Sequence, residues 1–138
     1  MMRTLTAVAL TAMLAACATA PDDEVGDLLD LMGGADPAEA AQIAQRVSAH
    51  PLGSEENPVR ADMPRGQRAY LDRLRCADGT APSYSRVGSM GAGPYGSIID
   101  GYEVICAGGE PADSIIMIDM YHPGHVEKAA PKGFTIVP

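Results

Sequence analysis

At 138 residues, with ten basic and eighteen acidic side chains, the chain has the length of one domain and a formal charge of −8. That balance argues against non-specific binding to nucleic acid or anionic lipid, which needs a surplus of Lys and Arg to neutralise phosphates. With no Trp and a single Phe, Phe134, the chain is also short of the aromatic platforms on which sugars and bases stack.

In chain order, Arg3 precedes an apolar run from Leu5 to Leu14, and small residues follow it. This is the layout of a secretory leader over residues 1–16. A bilayer-crossing helix needs about 20 apolar residues, and here Thr6 and Thr11 interrupt the run before it ends at a cysteine. The tetrapeptide Leu14-Ala15-Ala16-Cys17 resembles the lipobox of bacterial lipoproteins. The resemblance implies that the leader is removed before Cys17, that the cysteine sulfur is lipidated and that its new amino group is acylated. In that family Asp directly after the cysteine favours the inner membrane. Ala18 stands there instead, which points to an outer-membrane lipoprotein facing the periplasm. Several acyl chains on one residue hold a protein to a membrane much more firmly than one. Residues 17–21 then form a lipidated tether reaching no more than roughly 15 Å.

Residues 22–50 read as a helical hairpin. Val25, Leu28, Leu29 and Met32 fall at i, i+3, i+4 and i+7, behind Asp22, Asp23 and Glu24 and ahead of Gly33-Gly34. An acidic spacer is the competing reading of that first half. The second half has the stronger start signal: Asp36 as N-cap, Pro37 at the first helical position and Glu39 three residues after the cap. Ala40, Ile43, Ala44 and Val47 supply an apolar stripe, and His50-Pro51 ends the helix.

Residues 51–138 read as an α+β core. Val59 to Ala61 is a candidate edge strand, and a helix is expected from Pro64 to Leu74, with Gln67, Tyr70, Leu71 and Leu74 on one face. Three strands should follow as an antiparallel meander: Ser83 to Met90, Ile98 to Ala107 and Ser114 to Tyr121. Thr135 to Val137 is expected as a fourth strand at an edge. The middle segments are apolar on both faces, which implies burial at the centre of the sheet. The fold class is therefore α+β, with two or three short helices, a three- to four-stranded antiparallel sheet and one disulfide.

The disulfide follows from the compartment. Cys76 and Cys106 are the only cysteines besides Cys17, and such a pair in an oxidising periplasm is most simply a structural bridge. A redox couple fits less well, because thiol oxidoreductase sites usually set their cysteines two residues apart.

Three clusters are candidates for chemistry. His122 and His125 flank Pro123-Gly124, the central pair of an expected type II turn, with Asp119 and Glu127 nearby. Such a set has the right atoms for a divalent ion, zinc foremost, although its spacing matches no established metal motif. Arg60, Arg65, Arg68, Arg73 and Arg75 crowd into sixteen residues of an acidic chain. Arg60, Arg65 and Arg68 are the candidate anion patch; a solvated face with an Arg68–Asp72 pair is the competing reading. Gly91 to Gly96 is a hairpin loop with Tyr95 at its tip, not a phosphate-binding loop, because no lysine follows and a strand comes next. No serine sits in a nucleophile elbow.

Asn57-Pro58-Val59-Arg60, Gly66-Gln67-Arg68-Ala69-Tyr70-Leu71, Gly93-Pro94-Tyr95-Gly96 and Asp119 to His125 resemble stretches of uncharacterised proteobacterial lipoproteins across residues 51–137. That group carries no catalytic residue over to this chain. The function expected from the sequence is a membrane-anchored, periplasm-facing lipoprotein without catalytic activity, binding or supporting another envelope component. It needs no cofactor and binds no nucleic acid. The alternative is a metal-binding protein or metal-dependent enzyme using the His122/His125 turn.

Overall fold

Two apolar strands organise the fold: β4 (Ile98–Ile105) and β5 (Ser114–Asp119) pair antiparallel, from Ile99 opposite Asp119 to Val104 opposite Ser114. The computed structural model describes residues 36–138. The leader, Cys17, the tether and the first half of the expected hairpin lie outside the described residues. β3 (Ser83–Ala92) runs antiparallel along the other side of β4, so β3, β4 and β5 are consecutive antiparallel neighbours.

Beyond β5 the sheet departs from the expectation. The sheet has five strands rather than three or four, and two of them lie beyond β5. β1 (Val59–Asp62), expected at an edge, lies inside it, parallel to β5 and antiparallel to β6 (Tyr121–Val126). Val59 and Ala61, two residues apart on one face of β1, pack with Tyr70 and Leu71 in the core and are 0% and 2% exposed. β6 comes from residues expected to be a turn. Between its paired ends, Tyr121 opposite Asp62 and Val126 opposite Ala61, the four intervening residues bulge out of the strand. The left-handed backbone of Gly124, φ +73°, accommodates that bulge.

Two helices occur among the described residues. α1 (Pro37–Val47) starts where the capping signal predicts, with the Asp36 carboxylate accepting the N–H groups of Ala38 and Glu39 at 2.7 and 3.4 Å. α2 (Met63–Arg73) lays Gln67, Tyr70 and Leu71 against the sheet. It ends one residue before the expected Leu74. Leu74 and Arg75 turn extended as β2 and pair with β7 (Thr135–Ile136), a two-stranded ribbon apart from the main sheet. The C-terminal strand therefore does not extend the meander.

Cα partners across a ladder share a face, so the register sorts the two sides. Val59, Tyr102, Val104, Ile116 and Ile118 meet Tyr70, Leu71, Leu74 and Phe134 in the main core. Each fully buried aliphatic or aromatic side chain contributes on the order of 2 kcal/mol. On the opposite face α1 makes a small second cluster, Ala40 and Ile43 on Tyr95. The Cys76–Cys106 disulfide joins the residues just after β2 and β4, across a Cα–Cα distance of 5.8 Å. It ties the ribbon, rather than the end of a helix, to the main sheet. Closing a loop of about 30 residues contributes roughly 3.5 kcal/mol through the unfolded chain.

Candidate functional site

The parallel register places Arg60 of β1 beside Asp119 of β5, and Ile99 of β4 on the other side of Asp119. This row lies on the face opposite α2. Asp119 has no exposed surface, so its carboxylate needs donors from the protein. It has them: the Ser97 hydroxyl donates to Oδ2 and the Tyr121 backbone N–H to Oδ1 at 3.0 Å. His122 Nε2 approaches Oδ2 to 3.4 Å without hydrogen-bond alignment and has no hydrogen-bond partner. Burial pushes the Asp119 carboxyl up. The approach of His122 and the bonds from Ser97 and Tyr121 together outweigh that, and the net shift is down.

Ser97 reaches Asp119 because of the loop before it. Gly93 lies so close to Ile99 that a Cβ there would sit 2.5 Å from the Ile99 Cγ2 atom. A tight turn then runs back, with the Gly96 N–H donating to the Gly93 carbonyl at 3.1 Å and the Gly93 N–H to the Ser97 carbonyl at 2.8 Å. Tyr95, expected at the tip of this loop, is turned in under α1 and only 6% exposed. Its ring meets His122 edge-on at 4.6 Å between centroids, and the Arg60 guanidinium lies 5.9 Å from the Tyr95 centroid.

The bulge of β6 brings His125 towards His122, with ring centroids 6.4 Å apart. His125 Nε2 lies 3.5 Å from Glu127 Oε2 and has no hydrogen-bond partner. Burial, then the Arg60 charge, hold the His125 imidazole below its ordinary range against the opposing pull of Glu127. Burial raises the Glu127 carboxyl, but the N–H groups of Ala129 and Lys128, both on Oε1, and His125 lower it further.

The four candidate metal ligands therefore separate into two pairs, Asp119 with His122 and His125 with Glu127. Among the described residues, no three His, Cys, Asp or Glu side chains converge on a point that suits a metal ion. The Ser97–Asp119–His122 cluster places its acid between the hydroxyl and the imidazole. Nucleophilic catalysis needs the imidazole on the serine itself. Here the Ser97 proton is given to a carboxylate, inside a site where Ser97 and His122 are each 6% exposed.

A second buried network on the α2 face holds Asp100. Its carboxylate accepts from Arg86 at 2.7 Å and from Gln67 at 3.1 Å, and Gln67 in turn accepts the Tyr102 hydroxyl at 2.9 Å. The Arg86 bond holds the Asp100 carboxyl below its usual range, against burial.

The arginines divide differently from the sequence grouping. Arg60 and Arg65 line one groove, of about 200 Å3, between β1, α2 and β6. Arg73, not Arg68, is the third guanidinium on it, together with His125. Nor does Arg68 engage Asp72, whose Oδ1 accepts the Tyr84 hydroxyl at 2.7 Å. Arg60 and Glu127 also border a neighbouring cavity of about 320 Å3 under α1, with Ala44, His50 and Tyr95.

Ser97 falls outside the clusters that the sequence singles out, whereas Arg73, one of the five crowded arginines, takes the place expected of Arg68. For Ser97 the available signal was its eventual partner: a lone Asp ends the apolar run Ile115 to Ile118, and a carboxylate in a buried strand must find donors. No family model, curated protein or solved structure matches the chain.

Proposed function

We propose that this chain is a lipid-anchored lipoprotein facing the periplasm, held in the outer membrane through Cys17, that binds or supports another envelope component. The observation that carries this reading is the Cys76–Cys106 disulfide, in a chain that has the lipobox-like Leu14-Ala15-Ala16-Cys17 after its apolar run. A bridge between buried cysteines belongs with an oxidising compartment, which an exported lipoprotein reaches. No helix of the described residues is long and apolar enough to cross a membrane. Turnover has weaker support, because the carboxylates that would have to orient an imidazole are taken up by other donors. Ser97 and the Tyr121 N–H satisfy Asp119, and Glu127 Oε1 takes two backbone N–H groups.

Detergent-phase partitioning of the full chain made in a lipoprotein-processing bacterium tests the proposal. The wild type should enter the detergent phase and Cys17→Ser should stay in the aqueous phase. Equal partitioning of the two would sink the anchor.

A further inference from the structure

The groove between β1, α2 and β6 combines features that sit oddly in a chain of charge −8. Arg60, Arg65 and Arg73 line it from three positions: a strand, the first turn of α2 and its last turn. In so acidic a protein, arginines would ordinarily find carboxylates. The ion pairs of the described residues involve Arg86, His122 and His125, and none of these three. Arg73 is instead braced by carbonyls, with Nη2 donating to Glu127 O at 2.7 Å and Nε to Ala69 O at 3.3 Å. That fixes its position and leaves donors of its five free. Arg60 is placed by the Tyr95 ring.

The two carboxylates bordering the groove, Asp62 and Glu127, offset two of its three guanidinium charges and leave it net positive. Glu127 Oε1 is committed to backbone N–H groups and Oε2 faces His125, while Asp62 pairs with no cation. His125 Nε2, on the same wall, lacks a hydrogen-bond partner.

We infer that the groove lined by Arg60, Arg65, Arg73 and His125 is a binding site for a phosphate group. Three guanidinium forks exceed what a carboxylate uses, since one fork matches its two oxygens and single charge. A phosphate brings up to two charges and three free oxygens, enough to occupy all three. At about 200 Å3 the groove is smaller than sites for whole organic ligands. It holds the phosphate itself, free or as the end of a small monoester whose remainder projects outward. The inference does not depend on the lipid anchor.

Calorimetric titration of the full chain in nonionic detergent, at pH 7.5 and low salt, tests it with inorganic phosphate, glycerol 1-phosphate and acetate. Saturable binding of one phosphate per chain is expected, weakened at least about tenfold in both Arg60→Gln and Arg65→Gln. Arg65 is exposed, so its replacement should leave the fold intact; thermal unfolding of each variant checks this. Arg68→Gln, outside the groove, should bind as the wild type does. Tighter binding of glycerol 1-phosphate than of inorganic phosphate identifies a monoester as the ligand form, and the reverse identifies free phosphate. The inference is overturned by no saturable binding up to about 10 mM, by equal loss in Arg68→Gln, or by acetate binding as tightly as phosphate.

Discussion

Asp119 joins β5 to the loop before β4 and to the start of β6 through one buried carboxylate. It has no exposed surface, yet its carboxyl is held in the ionised form by the Ser97 hydroxyl, the Tyr121 N–H and the nearby His122. Removing such an acceptor strands its donors, and each buried unsatisfied group costs about 1–3 kcal/mol. Asp119→Ala should therefore destabilise the protein by about 3 kcal/mol and Ser97→Ala by about 1 kcal/mol, read from urea midpoints. An Asp119→Ala midpoint within error of the wild type would show that the network contributes nothing. The sequence makes Asp119 visible as a problem, one carboxylate closing the apolar run from Ile115, but not its solution. Ser97 lies 22 positions away, and only the Ile99–Asp119 register with the tight Gly93–Gly96 turn brings the two together.

Elements with a strong local code were legible and those specified by partners were not. The Asp36–Pro37 start fixes α1 through hydrogen bonds within three residues, and the runs of β4 and β5, apolar on both faces, place them centrally in a sheet. β1 is short, and β2 and β7 have two residues each. No periodicity can show in so few positions, and their identity comes from the strands that receive them. The joint between β1 and α2 shows the same dependence. Asp62, although a good capping residue by type, makes no side-chain cap, and Met63 turns the chain with φ +57°, a left-handed conformation costly for a residue with a Cβ. The Met63 N–H donating to the Met120 carbonyl at 2.8 Å holds that turn in place. Met63 is 42% exposed, so Met63→Gly gives up little burial while relieving the backbone. A gain of about 0.5–1 kcal/mol is expected in chemical denaturation, and a clear loss would mean that the Met63 side chain contributes more than the strained backbone costs.

The molecule as a whole should be most stable on a plateau between about pH 7 and pH 10, bounded by groups of opposite kind. On the acid side His125 leaves the plateau first. Its imidazole lies below the ordinary 6.5, through burial and then Arg60, so between the two values the unfolded chain binds the extra proton. Its contribution is complete above about 6.5 and is lost as the pH falls through the folded value. Asp100, Asp119 and Glu127 are also depressed; their contributions are present above about pH 4 and disappear below it. On the alkaline side the signs reverse. Burial raises the Tyr70 hydroxyl, and burial with the bond to Asp72 raises Tyr84 to about 12. Stability from these is complete below about pH 10 and falls as the pH rises through their folded values. Urea midpoints across pH 3–12 should trace this shape, with His125→Gln flattening only the step just below pH 6.5. A step of undiminished size in His125→Gln would contradict the assignment, since the proton uptake would then belong to another group.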